Sequence, residues 1–288
     1  MIARLRDYYE LSKPRIIVLL LITTAASMVM AARGIPNLAL LFWTLLAGAL
    51  AAASAGALNC AWDADIDRIM KRTRLRPIPQ GRVSETSAVV FGLIAGVVSF
   101  ALFYTLVNPL AAWLSLAGNL YYVVIYTMWL KRITPLNIVV GGAAGSVPPL
   151  VGWAAVTHTV GAPALGLFAL IFLWTPPHFW SLALTTETDY GKAKIPMFPN
   201  VHGRERTKRE IVYYSLLLVA ASLALYPLHV MGAVYFAPAG VLGGIFVLDA
   251  VRTWREQSGN LQARKLFRFS LLYLALMCVV MVVDRIIS

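Results

Sequence analysis

The sequence predicts an all-α fold, a polytopic membrane helical bundle with about nine transmembrane helices around a central cavity, and three observations predict it. Of 288 residues, 59% are hydrophobic and only 13% charged, against about 25% charged in soluble domains. The apolar residues fall into nine runs, each close to the roughly 20 residues a helix needs to cross a hydrocarbon core about 30 Å thick. The runs are also continuous, whereas the strands of a membrane barrel would alternate over about ten residues.

The first run, 16–32, follows "MIARLRDYYELSKPR", which is too short and too acidic for a transit peptide. No convincing signal-peptidase site follows it, so it reads as a retained first helix. The second, 37–58, is crowded with small residues in "LAGALAAASAGALN". A long connection, 59–86, leads to the third run at 87–107, and the short "LVNP" to the fourth at 110–129. The fifth, 135–156, contains "VVGGAAGSVPPLVGW". Its Gly141 and Gly145, four apart, offer a small face on which helices can approach closely. Pro148 and Pro149 remove backbone donors and should kink or break this run, and Pro176 and Pro177 should do the same to the sixth, 163–184. Broken helices at membrane depth are tolerated only against protein or a cavity. A second long connection, 185–210, precedes the runs 211–228, 232–250 and 268–286. Residues 1–288 are expected to form one integral-membrane domain.

The formal charge of +12 raises the question of nucleic acid, and the position of the charges answers it. With the N-terminus and the connections after runs two, four, six and eight on one side, that side holds every Lys and Arg except Arg33 and Arg285. The positive-inside rule then places the N-terminus and both long loops in the cytoplasm and the C-terminus outside. The basic excess is a topology signal with a further attraction to anionic lipid, and no nucleic-acid partner is expected. Cys60 and Cys278 have neither metal-ligand spacing nor a credible pairing, and read as packing residues.

The two long loops share a pattern. Each starts at the inner end of an apolar run with carboxylates followed by bases: "DADIDRIMKRTR" in the first, "ETDYGKAK" in the second. This hints at a duplicated helical unit facing itself across a cavity, an arrangement that also places transporter sites. Asn59, Asp63 and Asp67 recur at i, i+4 and i+8, which keeps three oxygen donors on one helical face. Asp65 lies on the opposite side, as an interfacial charge would. A charge well inside a bilayer costs roughly 2.5 to 3.5 kcal/mol, so the cluster calls for a reason. Carboxylates attract hard cations, and Mg²⁺ typically takes one or two of them together with substrate phosphates. Arg68, Lys71, Arg72, Arg74 and Arg76 immediately downstream supply what a diphosphate needs. The competing reading is a solvated basic loop whose aspartates pair locally with arginines. In the second loop Asp189, with Glu187 and Thr185, is a candidate for another Mg²⁺, Lys192 and Lys194 for phosphate oxygens, and Lys131 and Arg132 from a third loop would close the ring. His178, in "WTPPHFW", lies mid-span, where a titratable residue is a functional candidate by default. His158, His202 and His229 sit at loop positions and read as solvated.

The Asn59, Asp63, Asp67 spacing resembles the first aspartate motif of the UbiA-type intramembrane prenyltransferases. "SKPRIIVLLLITT" (12–24), "DADIDRIMKRTRLRPIPQGR" (63–82), "YTMWLKRITPLNIVVGGAAGSVPPLVGW" (126–153) and "WTPPHFWSLALTTETDYGKAKIPMFP" (174–199) are similar to its heme-modifying branch. The likeness runs from Ser12 to about Pro199 and is hydropathy alone beyond that. It implies farnesyl transfer from farnesyl diphosphate to the 2-vinyl group of heme b with addition of water, giving heme O and diphosphate for terminal oxidases. It implies Mg²⁺ held by Asn59, Asp63, Asp67 and Asp189, and catalytic roles for those residues and Lys131. Diphosphate would be bound by Arg68, Lys71, Arg72, Arg76, Lys131, Arg132 and Lys192, and heme b by His178, Trp174 and Tyr126, with heme A synthase or oxidase assembly proteins as candidate partners. Trp62, Tyr122, Phe179 and Trp180 are further candidates for the wall of the cavity. Where the wider family has DxxxD in the second motif, this chain has Thr185 four before Asp189. The short N-terminus fits a bacterial inner-membrane protein. A quinone precursor or chlorophyllide as acceptor is the nearer alternative and a secondary transporter the remoter one. Against the transporter, the acidic clusters all lie at the cytoplasmic ends and none marks a path across the membrane.

Overall fold

In lipid a backbone must satisfy its own hydrogen bonds, and a helix does so within one segment. Accordingly every regular element among the described residues is helical. This computed structural model describes residues 2–287; Met1 and Ser288, the two ends of the expected domain, lie outside the described residues.

A short helix α1 (Ile2–Leu11) precedes α2 (Pro14–Ala32), and α3 (Leu38–Trp62) runs through Asp63 into α4 (Ala64–Ile69). After the first long loop come α5 (Glu85–Leu106) and a composite rod of α6 (Pro109–Leu120), a π-helical segment (Tyr121–Leu130) and α7 (Lys131–Ile133). The fifth run is two halves, α8 (Asn137–Ser146) and α9 (Pro148–Thr157), followed by α10 (Ala162–Thr185). Two short helices, α11 (Glu187–Lys192) and α12 (Phe198–His202), occupy the second long loop, before α13 (Arg204–Ala224), α14 (Ala233–Arg255) and α15 (Leu261–Ile287).

The nine rods match the nine expected runs, and eight of them are long and apolar enough to cross a membrane. The ninth, α13, opens with the charged stretch RERTKRE. Its helix starts before the apolar run and stops at Ala224, short of the expected 228. There the chain turns, and the N–H groups of Val230 and Met231 both donate to Leu225 O at 3.0 Å. In α15 the helix likewise extends seven residues ahead of the apolar run, because backbone hydrogen bonding does not stop where charge begins. Polar side chains fix several starts: Asn37 accepts from the N–H groups of Ala39 and Leu40 for α3, Ser84 from Ser87 for α5, and Asn108 from Ala111 for α6.

The prolines act differently in the two spans. At Pro148 and Pro149 the helix is interrupted at Val147, as expected. At Pro176 and Pro177 it is not: α10 passes through both as one helix. Both rings are buried, and packing from neighbouring helices holds a proline-bearing rod in place. The small-residue face is also only half used. A Cβ on Gly141 would fall 2.2 Å from the Tyr126 ring, whereas one on Gly145 would meet nothing within 4 Å. The closest approach to another helix's backbone is at Gly152, where a Cβ would lie 2.4 Å from Thr24 O and push α9 off α2.

The largest buried cluster joins α9, α10, α13, α14 and α15, including Trp153, Trp174, Trp180, Tyr235 and Phe246. A second joins α2, α3, α5, α6 and α9. The smaller cluster of Ile66, Met70, Ile138, Tyr190, Ile195 and Met197, with Tyr126 and Phe179 against it, brings the first and second long loops together. The chemistry is assembled around that junction.

Candidate active site

Asp63 sits where α3 meets α4, with φ −89° and ψ 9°. The helical ladder nonetheless continues, since Asp63 N–H donates to Asn59 O at 2.9 Å and Asp67 N–H to Asp63 O at 2.8 Å. The i, i+4, i+8 face therefore survives the junction. Asn59, Asp63 and Asp67 are all buried, at 3%, 1% and 3% exposure, so the reading of a solvated loop does not describe them. Asn59 Nδ2 donates to Asp63 Oδ2 at 2.9 Å and to Thr127 Oγ1 at 3.0 Å.

Bases close on this face from three directions. Lys131, at the end of the π-helical segment, donates to Asp63 Oδ2. Arg76, from the first loop, donates to Asp67 Oδ2 at 2.6 Å. Lys13 donates to Asn59 Oδ1 from a left-handed backbone position, φ 56°, just ahead of Pro14. Burial lowers the pKa of Lys13 below the ordinary lysine value, with Arg76 adding to the effect and Asp63 and Asp67 opposing it. For Arg76 burial disfavours the charge, but the Asp67 carboxylate outweighs it and the pKa is raised. Lys13, Lys131 and Arg76 set against Asp63 and Asp67 leave one positive charge in excess. A polyanion with several oxygens is the complement of such a surface.

The second loop reaches this cluster through Tyr190, which is 3% exposed. Burial raises the pKa of its hydroxyl, against the fields of Arg72 and Arg76. Asp189 and Thr185 are half-buried and Lys192 is exposed. Asp63, Asp67 and Asp189 are not gathered into one metal-holding cluster among the described residues. Glu187 turns away from the site to pair with Arg204 at 2.8 Å, and the same guanidinium donates to Leu184 O at 3.1 Å and to Gly259 O at 3.1 Å. Arg204 thereby ties the end of α10 and the second acidic segment to the turn before α15.

Two arginines expected on the diphosphate spend their hydrogen bonds elsewhere, although Arg132 still lies 3.9 Å from Asp63 Oδ1. Arg132 makes two 2.8 Å contacts to Asp65 and a 2.9 Å bond to Trp62 O, clamping the end of α3 to α7. Its hydrogen bond is the main cause of a lowered Asp65 pKa. Arg68 pairs with Glu85 at 3.0 Å on the exposed surface. Lys71 and Arg74 are exposed. The reason is helical phase: Arg68 follows Asp67 by one residue and so points about 100° away from the buried face. Arg82, not singled out from the sequence, bonds Asp7, Glu10 and Leu75 O, strapping α1 across the first loop.

The residues expected at heme divide into two groups. Trp174 and His178 stack with ring centroids 4.1 Å apart on the seam between α10 and α15. Tyr126 belongs to the other group, 5.4 Å from Tyr122 and packed with Phe179 and Tyr190 near the carboxylates. Trp180 is fully buried against Phe198 and Tyr214 and serves the core, while Trp62 is 45% exposed at the end of α3. Lys13 and Thr127 were not singled out from the sequence. The signal for Lys13 was present in "SKPR", a base immediately before the first apolar run.

The donor set at Asn59, Asp63 and Asp67 is oxygen only, and Asp63 Oδ1 is buried without a hydrogen-bond partner. An uncovered carboxylate oxygen among oxygen donors fits a hard divalent cation. Fold and site together define a multi-pass membrane protein with an acidic and basic cluster buried at one end of its helices, built to hold a charged headgroup against an apolar interior. Residues 20–272 match the UbiA prenyltransferase family. A protoheme IX farnesyltransferase of Synechocystis sp. is 55% identical over 97% of this chain and 89% of its own length. Those of Trichodesmium erythraeum and Gloeobacter violaceus are each 51% identical, over 97% and 99% of this chain and 85% and 93% of theirs. Among solved structures, digeranylgeranylglyceryl phosphate synthase superposes with a TM-score of 0.82 at 18% identity, covering 99% of this chain and 100% of that one. A UbiA homolog from Archaeoglobus fulgidus bound to DMAPP and Mg²⁺ gives 0.66 at 18% identity, covering 96% and 99%. The chain belongs to the UbiA prenyltransferase family.

Proposed function

We propose that this protein transfers the farnesyl group of farnesyl diphosphate to the 2-vinyl group of heme b with addition of water, yielding heme O and diphosphate. The observation that carries this reading is the identity of 51% to 55%, over nearly the whole chain, to proteins named protoheme IX farnesyltransferase. The buried cluster supports the diphosphate end of the reaction and the Trp174, His178 pair the heme end.

Asn59, Asp63 and Asp67 would hold Mg²⁺, with Asp189 from the second loop as a further candidate ligand. Bound there, Mg²⁺ would offset charge on the diphosphate as it leaves. Lys13, Lys131, Arg72 and Arg76 take the remaining charge, an electrostatic contribution that is usually the largest in such reactions. Lys131 and Arg76 can exchange a carboxylate partner for a phosphate oxygen without leaving the cluster. Tyr122, Tyr126 and Phe179 form an apolar wall next to it, which keeps water from an allylic cation until the vinyl carbon has attacked. Water then captures the cation beside the porphyrin. By the positive-inside rule the basic loops favour the N-terminus and this site on the cytoplasmic side of a bacterial inner membrane, and residues 1–288 would act as one domain.

The test is incubation of the purified protein with heme b, farnesyl diphosphate and Mg²⁺, followed by chromatography and mass spectrometry of the extracted hemes. A product heavier than heme b by a farnesyl and a hydroxyl group is expected. Unchanged heme b from folded protein would remove heme as the acceptor.

A further inference from the structure

His178 is constrained on three sides. One face of its imidazole lies on the Trp174 indole, centroids 4.1 Å apart and planes 15° apart, and another ring, Phe267 of α15, stacks at 4.8 Å and 24°. On its edge, Nδ1 is 2.6 Å from Ser270 Oγ. Ser270 is itself held, because Trp174 Nε1 donates to its carbonyl oxygen at 2.8 Å.

The direction of the His178 to Ser270 bond follows from counting protons. Ser270 Oγ also lies 2.7 Å from Phe267 O, and a carbonyl oxygen can only accept. The single hydroxyl proton is therefore used on Phe267, and toward His178 the serine can only accept. Nδ1 carries the imidazole proton, and Nε2 carries the lone pair. No hydrogen bond to Nε2 is found among the described residues. Iron-ligating histidines have the same form: one nitrogen on the metal, the other donating to an oxygen that fixes ring plane and tautomer.

Resting on the heme-acceptor reading above, we infer that His178 ligates the iron of heme b through Nε2, and that Ser270 is the positioning residue that fixes its tautomer and orientation. The macrocycle stands across the iron to nitrogen bond, so Trp174 and Phe267, parallel to the imidazole on either side, present their edges to it. Ligation places the substrate on the seam of α10 and α15, next to the helix face whose Phe179 packs toward the acidic cluster.

The experiment is a ferric heme b titration of the full-length protein in detergent, read by Soret absorption and electron paramagnetic resonance, on wild type, His178→Ala, Ser270→Ala and Ser270→Thr. Wild type should show a histidine-ligated heme that His178→Ala loses. Ser270→Ala should weaken heme binding by about 10- to 100-fold, the usual loss for removing such a partner. It should also raise KM for heme while leaving KM for farnesyl diphosphate unchanged, and Ser270→Thr, which keeps the hydroxyl, should restore both. A wild-type spectrum in His178→Ala overturns the ligation, and wild-type spectrum and affinity in Ser270→Ala overturn the positioning role. If the wild type binds heme with the histidine signature but forms no farnesylated product, the proposed activity fails and the ligation stands; if product forms while His178→Ala keeps the wild-type spectrum, the reverse holds.

Discussion

Asp63 is the residue on which stability and activity make different demands. Its carboxylate is 1% exposed and paired with Lys131, and removing one partner of a buried pair costs about 3 to 5 kcal/mol because the other charge stays behind. Lys131→Met should therefore lower the melting temperature of the ligand-free protein markedly. Asp63→Asn instead strands Lys131, whose side chain is 14% exposed against 1% for Asp63, so it should melt between Lys131→Met and wild type while losing turnover by about 100-fold or more. Equal melting of both variants would show that the pair does not hold the site together. Lys13 gives a pH dependence. Its folded pKa is lowered by burial, so between that value and the ordinary lysine range unfolding takes up a proton. Stability consequently rises with pH across this window. Melting curves from pH 7 to 10 should show this rise in wild type and a flatter profile in Lys13→Met. Asn59, Asp63 and Asp67 were legible in the sequence because helical spacing alone puts them on one face. Lys13 and Thr127 were not, because their roles come from contacts between segments distant in the chain.

At the scale of elements, the π-helical segment and α8 depend on each other. Tyr126 occupies the space that Gly141 leaves open, and π-helix is rare beyond a single turn. A methyl group on Gly141 must displace a ring that packs beside the acidic cluster, whereas one on Gly145 has free space. Gly141→Ala should cut turnover at least tenfold and Gly145→Ala should leave it unchanged, as farnesyl-transfer assays on the two variants will check. Similar losses in both would mean that the pair acts through general helix packing. The sequence offered both glycines as one small face, since spacing cannot say which of two small residues has a neighbour. It treated the two proline pairs alike for the same reason. Pro148 interrupts its span, while Pro176 and Pro177 lie inside a continuous helix held by its surroundings. The number and order of the spans were readable because hydrophobic length is set by the bilayer. The π-helical turn left no mark on the apolar pattern.

Across the whole molecule, most of the bases stand on one side of the membrane, and the structure distinguishes uses that a charge count merges. Some are topological and exposed, such as Arg74; some are mechanical, with Arg82 strapping α1 and Arg204 tying the second loop to the turn before α15. Lys13, Lys131 and Arg76 hydrogen-bond the buried acidic face, with Arg132 3.9 Å from Asp63. Because Asp63 Oδ2 and Asp67 Oδ2 are already paired with Lys131 and Arg76, on the proposed function a divalent cation by itself would meet competing lysine and arginine. Diphosphate would relieve the competition by drawing those bases to itself, freeing the carboxylates in the same event. Affinities for the two ligands are then linked, and linkage is reciprocal: each must strengthen the other by the same factor. Calorimetric titration should show Mg²⁺ binding feebly to the protein alone and at least tenfold more tightly with a nonreactive farnesyl diphosphate analogue present. Equal isotherms would mean that the two ligands bind independently. On the proposed function, the ion pairs of the resting site would make the protein a coincidence detector, one that commits its carboxylates only when metal and prenyl donor arrive together.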